Sequence, residues 1–206
     1  PTIDMACPQD EVPPAEYDDV APNIHTPAID CVSWWGVAQG KADGTYGPLE
    51  TVRRDQMATF IVRALEAAGY VFESEPEDAF TDDDDSTHHH AINQLAAAGI
   101  VKGSGGGSAY DPAGTVSRGQ MAAFLVRAYE ELRQEPLPPG TDFFTDDDGT
   151  AHEAAIDKAR AAWIVTGRSD DQYEPHAPVL RQEMATFLAR LLDAFTGEGY
   201  AAPPAS

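Results

Sequence analysis

The amino-acid sequence predicts an all-α, pseudo-threefold fold of three helix-loop-helix repeats around a central three-helix bundle. Three observations carry that expectation. One block of residues recurs at offsets of 63 and 64 positions. Each copy ends in an apolar pattern of helical period, and each opens on an acidic run that leads into a shorter helical stretch.

The recurring block aligns position by position. Tyr17-Asp18-Asp19-Val20, Phe80-Thr81-Asp82-Asp83 and Phe144-Thr145-Asp146-Asp147 open the copies. A histidine follows in each (His25, His88, His152), with an isoleucine four residues later (Ile29, Ile92, Ile156) and a glycine eleven beyond that (Gly40, Gly103, Gly167). Next come an aromatic and a proline two apart, Tyr46/Pro48, Tyr110/Pro112 and Tyr173/Pro175, and then Val-x-Arg at Val52/Arg54, Val116/Arg118 and Val179/Arg181.

The first helix of each copy is expected from about His25, His88 and His152 to Gly36, Gly99 and Trp163, with the preceding acidic run as cap and as negative charge near the positive end of the dipole. A loop rich in Gly, Ser and Asp should follow. The closing helix begins near Met57, Met121 and Met184. Met184, Phe187, Leu188, Leu191, Leu192 and Phe195 fall on one face, as do Met121, Phe124, Leu125, Ala128, Tyr129 and Leu132, and Met57, Phe60, Ile61, Ala64 and Leu65. Three such stripes can bury one another as a central bundle. The chain therefore divides into an N-terminal segment at 1–16, repeats at 17–72, 80–133 and 144–196, and an Ala/Pro-rich tail at 197–206, with acidic or Pro-rich connections between repeats.

Composition narrows function. Thirteen Lys and Arg stand against 35 Asp and Glu, a formal charge of −22, which excludes a nucleic-acid binder and disfavours an anionic membrane surface. No apolar run is long enough for membrane insertion. The chain opens without Met or an apolar leader and reads as a mature or excised segment. Cys7 and Cys31, the two cysteines present, are expected to form a disulfide that ties down the N-terminal segment, pointing to an extracellular setting. No catalytic set stands out from the repeat framework, and His152-Glu153 lacks the second histidine of a zinc-protease motif because Ile156 stands there.

The runs Ala91-Ile92, Gly99-Ile100-Val101-Lys102-Gly103, Tyr110-Asp111-Pro112 and Val116-Ser117-Arg118-Gly119-Gln120-Met121, with their counterparts in the other copies, resemble the S-layer homology (SLH) repeat, of which three usually occur in tandem. The resemblance implies a non-catalytic anchor at the cell surface that binds an anionic secondary cell-wall polysaccharide, often pyruvylated, in grooves between repeats. It places Arg54, Arg118 and Arg181 in those grooves. The family's threonine position holds Arg53, Ser117 and Leu180 here, and its glutamate position holds Gln56, Gln120 and Glu183, so no copy keeps the full motif. Ser117, Gln120 and Glu183 join the glycan-binding candidates. A planar guanidinium can grip a carboxylate with two parallel hydrogen bonds.

Other readings stand beside this one. Asp19, Asp82 and Asp146 can pair with the three arginines and brace each unit, leaving a structural or assembly module that makes protein–protein contacts, by self-assembly or with an attached cargo domain. Trp35 and Trp163 can stack on sugar rings. Asp82, Asp84, Asp146 and Asp148 form a possible calcium set, although neither acidic run fits an EF-hand loop; otherwise no cofactor is expected. His88-His89-His90 is expected to hydrogen-bond near a helix start and not to hold a metal, because consecutive helical residues point in different directions.

Overall fold

The computed structural model describes residues 2–104 and 107–205. Among these residues there are six helices and no sheet: α1 Thr26–Trp34, α2 Arg54–Ala67, α3 His89–Ala97, α4 Arg118–Arg133, α5 Glu153–Ala161 and α6 Arg181–Gly197. The apolar stripes of α2, α4 and α6 are buried against one another as the central bundle, with Leu132 half-exposed at its end.

The short helices α1, α3 and α5 stop two residues before the expected glycine or tryptophan. Gly36, Gly99 and Trp163 instead take the left-handed conformation just past each helix, at φ of 71°, 72° and 60°. The next residue folds back: Val37, Ile100 and Ile164 donate their N–H to Val32, Leu95 and Ala159 and bury their side chains. This is a left-handed helix stop closed by an apolar contact.

At the other end the expectation fails. His25, His88 and His152 occupy the cap positions, and no side chain caps α1, α3 or α5. The acidic residues are engaged elsewhere. Asp19, Asp82 and Asp146 each spread both carboxylate oxygens over two successive amides of the aromatic loop in their own repeat, Tyr46/Gly47, Tyr110/Asp111 and Tyr173/Glu174, at 2.7–2.9 Å. Above each clip the opening aromatic lies 5.3 Å from the loop tyrosine, Tyr17 on Tyr46, Phe80 on Tyr110 and Phe144 on Tyr173. It also presses on the repeat glycine so closely that a Cβ on Gly40, Gly103 or Gly167 would meet the ring at 2.4–2.7 Å. The aromatic-Asp, Gly and Tyr-x-Pro signatures are one interlocking device.

The repeats interlock rather than stack. The most extensive contacts of α3 are with α2, those of α5 with α4, and those of α1 with α6, so each short helix packs on the long helix of the preceding repeat and the last closes on the first. A ring of backbone hydrogen bonds marks the pseudo-threefold axis. Val52 N–H donates to Val179, Val179 to Val116 and Val116 to Val52, at 2.9, 2.9 and 3.0 Å. The valine of Val-x-Arg thus closes the ring, and the arginine two residues on starts a central helix.

The N-terminal segment is bonded to this frame. Cys7 forms a disulfide with Cys31 on α1. Asp193 on α6 accepts the amides of Met5 and Ala6 at 2.8 and 3.0 Å, and Trp35 Nε1 donates to the Ala6 carbonyl at 2.9 Å.

Candidate functional site

The three repeat arginines are built identically, each across a boundary between repeats. Arg54 Nε donates to the Tyr110 carbonyl, Arg118 Nε to Tyr173 and Arg181 Nε to Tyr46, at 2.7–2.8 Å. Each tyrosine returns a hydrogen bond from its buried hydroxyl to the carbonyl of that same arginine. The guanidinium carbons lie 4.5–4.9 Å from the tyrosine ring centres, with Phe124, Phe187 and Phe60 close by at 5.3–5.6 Å.

These arginines form no ion pair with Asp19, Asp82 or Asp146, the pairing that the structural alternative offered. The aspartates act through the backbone: Asp82 fixes Tyr110, and Tyr110 fixes Arg54. The Tyr110 amide accordingly holds the Asp82 carboxyl below its ordinary range. Although buried, Arg54 and Arg181 have Nη groups with no hydrogen-bond partner among the described residues, while Arg118 Nη2 donates to the Thr166 carbonyl at 3.0 Å.

A second arginine set escaped the sequence reading. Arg63, Arg127 and Arg190 each follow the repeat methionine by six residues. Each reaches the loop after a short helix: Arg127 Nη1 meets the Ile100 carbonyl at 3.2 Å, Arg190 Nη1 the Thr166 hydroxyl at 3.1 Å and Arg63 Nη1 the Val37 carbonyl at 3.5 Å. The equal spacing from Met57, Met121 and Met184 was the available signal.

Both sets meet in a groove of about 360 Å³ between the start of α4, the Thr166–Arg168 loop, α6 and His25 of the first repeat. Arg118, Arg190 and Arg168 line it, with Glu183 as its acid. Burial lowers the pKa of Arg118 and Arg190, yet a guanidinium stays charged in proteins. Arg168 is exposed and spans Glu174 at 3.2 Å and Glu183 at 2.6 Å. His25 Nδ1 and the Thr186 hydroxyl share a hydrogen bond at 2.8 Å across the boundary between the first and third repeats. Burial lowers its pKa, against the nearby Glu183 and with the nearby Arg190 and Arg168.

The remaining candidates divide. Ser117 and Gln120 form a capping box on α4: Ser117 Oγ accepts the Gln120 amide and Gln120 Oε1 accepts the Ser117 amide. Gln56 and Glu183 accept the amides of Arg53 and Leu180 in the same way, so the glutamate position first serves a helix start. Trp35 is buried under the N-terminal segment, away from the groove. Trp163 is 55% exposed and stacks with Arg160 at 4.3 Å. His88 does hydrogen-bond at a helix start, to the Thr59 hydroxyl at 2.7 Å. Of the possible calcium set, Asp82 and Asp146 each give both oxygens to backbone amides, while Asp84 and Asp148 lie in separate acidic clusters. The acidic clusters that do assemble are Asp78/Asp83/Asp84/His89 and Asp142/Asp147/Asp148.

The family model of the S-layer homology domain matches residues 79–122 and 143–185. The chain belongs to this family. The matched stretches are the second and third repeats, and the first is a third copy by its equivalent Val52, Arg54 and Tyr46 contacts. An S-layer protein of Bacillus licheniformis is 31% identical over 168 residues, covering 82% of this chain and 18% of that protein. An endoglucanase of Bacillus sp. (strain KSM-635) is 29% identical over 163 residues, covering 76% and 16%. An uncharacterized cell wall amidase of Bacillus anthracis is 28% identical over 152 residues, covering 73% and 27%. This SLH chain thus spans well under a third of the relatives it matches. What such different proteins share with it is the repeat region, a cell-surface module.

Proposed function

We propose that this SLH module anchors the protein that carries it to the cell wall by binding an anionic wall polysaccharide in the groove at Arg118. The observation that carries the reading is the concentration of Arg118, Arg168 and Arg190 in one groove of a chain with net charge −22. A carboxylate-bearing sugar gains charge-assisted hydrogen bonds there, and Phe187 supplies an apolar wall. The module itself performs no chemistry; it tethers. The kinship with S-layer proteins and with a cell wall amidase supports a wall-bound location for the whole protein.

The test has to separate binding from folding. Arg118 is tied to Tyr173 through two hydrogen bonds and is a poor probe, because Arg118→Ala would lower stability as well as affinity. Arg168 is exposed and its guanidinium pairs with the exposed Glu174 and the buried Glu183. Arg168→Ala is expected to weaken pull-down by purified sacculi about tenfold at a temperature where circular dichroism shows the variant still folded, with a lower melting temperature because the buried Glu183 loses its counter-charge. Extraction of secondary polysaccharide from the sacculi should abolish binding of the unmodified chain. Retention that survives both the extraction and the substitution would sink the glycan reading.

A further inference from the structure

The turns that open the second and third repeats carry buried carboxylates with no lysine or arginine to hold among the described residues. Asp83 and Asp147 directly follow the Asp82 and Asp146 clips and are 0% exposed; neither Asp147 oxygen accepts a hydrogen bond, and Asp83 has only the His89 ring nitrogen beside one oxygen. An ionised carboxylate in that state costs several kcal/mol, so it calls for a cation or a proton. The first repeat shows that the fold does not require the acid, because Val20 follows Asp19 at the same place.

Other acids converge on each buried one. Oxygens of Asp142 and Asp148 come together with one of Asp147, and oxygens of Asp78 and Asp84 with one of Asp83, all within 4.8 Å of one another. Oxygens bound to one calcium ion at about 2.4 Å lie at most about 4.8 Å apart, so both clusters have the span of a coordination shell. Among the described residues no lysine or arginine pairs with any of these carboxylates. At Asp83 the nearest cation candidate is His89, whose Nδ1 stands 3.2 Å from Oδ2. Asp157 adds another buried acid against the Asp147 cluster, and its Oδ1 is likewise unpartnered. Without an ion, burial first and Asp157 next push the Asp147 carboxyl up to about 6.

We propose that these two turns each bind a calcium ion, through Asp142, Asp147 and Asp148 in the third repeat and through Asp78, Asp83 and Asp84 in the second. Hard carboxylate donors select a hard cation, and water completes the shell on the exposed side. Asp78 and Asp142 come from the connections between repeats, so each ion fastens an incoming connection to the turn that sets the aromatic clip. Half-open sites of three carboxylates match the affinities of extracellular calcium modules, about 0.1–1 mM.

The test is calcium titration of the chelator-stripped chain by calorimetry, with thermal melts alongside. Two ions per chain are expected, with a melting temperature raised by roughly 5–10 °C at calcium well above the dissociation constant. Asp147→Val copies the first repeat and should reduce the stoichiometry to one, and Asp83→Val with Asp147→Val should abolish binding while leaving a protein that folds without calcium. If these core substitutions do not fold, the exposed Asp142→Asn and Asp148→Asn should each weaken the third-repeat site at least tenfold. A stripped chain that shows neither binding heat nor a melting shift in millimolar calcium overturns the proposal. So does a double variant that still binds two ions, or a response to zinc alone.

Discussion

At the scale of single residues, Trp163 is the strained member of its set. Gly36 and Gly99 end their helices in the left-handed region at no steric cost, whereas Trp163 holds φ of 60° with its ring more than half exposed. That conformation costs an L-residue about 1–2 kcal/mol, and stacking on Arg160 at an exposed site returns about 0.5–1. Trp163→Gly is therefore expected to raise stability by about 0.5–1 kcal/mol, read as a higher urea midpoint at constant slope; a lower midpoint would show that the ring is structural. The sequence marked this residue, because alignment set a tryptophan against two glycines, but it could not show the sign of φ. It likewise marked Arg54, Arg118 and Arg181 but not their partners. The partner is a backbone carbonyl of another repeat, which has no residue-type signature, so aspartates at matching positions looked like the natural counter-charges.

At the scale of elements, the sequence repeat and the packing unit differ. The helical period of Met184 to Phe195 announced an apolar stripe, and the structure buries it, yet a stripe carries no address. Nothing in its spacing says that α5 will pack on α4 of the previous copy rather than on α6 of its own. Pairing across copies is what makes three weak units one cooperative domain, since each long helix holds the other two long helices and the short helix of the next copy. The N-terminal segment joins by other means, the Cys7–Cys31 link and the Asp193 clamp on the Met5 and Ala6 amides. The link spans 24 residues of sequence, for which loop-closure entropy gives about 3 kcal/mol. Cys7→Ala with Cys31→Ala is expected to cost about that much in chemical denaturation and to expose the segment before Tyr17 to limited proteolysis, with the helical circular dichroism retained. Collapse of the helical signal at 25 °C would instead make the segment a condition of the fold.

For the whole molecule, the charge of −22 is unevenly placed. Most of the acids sit in turns and connections, and the boundaries between repeats collect arginines and the three equivalent histidines. Burial lowers the pKa of His25, so the folded state binds fewer protons there than the unfolded chain does. Its contribution to stability is then complete above the unfolded value of 6.5 and declines as pH falls through the lower folded value. Asp147 runs the other way. Its raised carboxyl favours the folded state as pH drops through about 6, so a raw pH–stability curve mixes opposite slopes. Substitution separates them. His25→Gln keeps a partner for Thr186 but cannot titrate, and the difference between its stability and that of the unmodified chain isolates the histidine. Urea denaturation from pH 8 to pH 5 should show the variant gaining on the unmodified chain as pH falls below 6.5, with no change in the difference above it. His25 lines the arginine groove and bonds the first repeat to the third. Protonating it works against the boundary that closes the ring while adding positive charge to a groove that takes an anionic sugar, so the stability difference is what reports its titration. A pH-independent difference in stability would show that His25 stays uncharged, or equally charged, in both states.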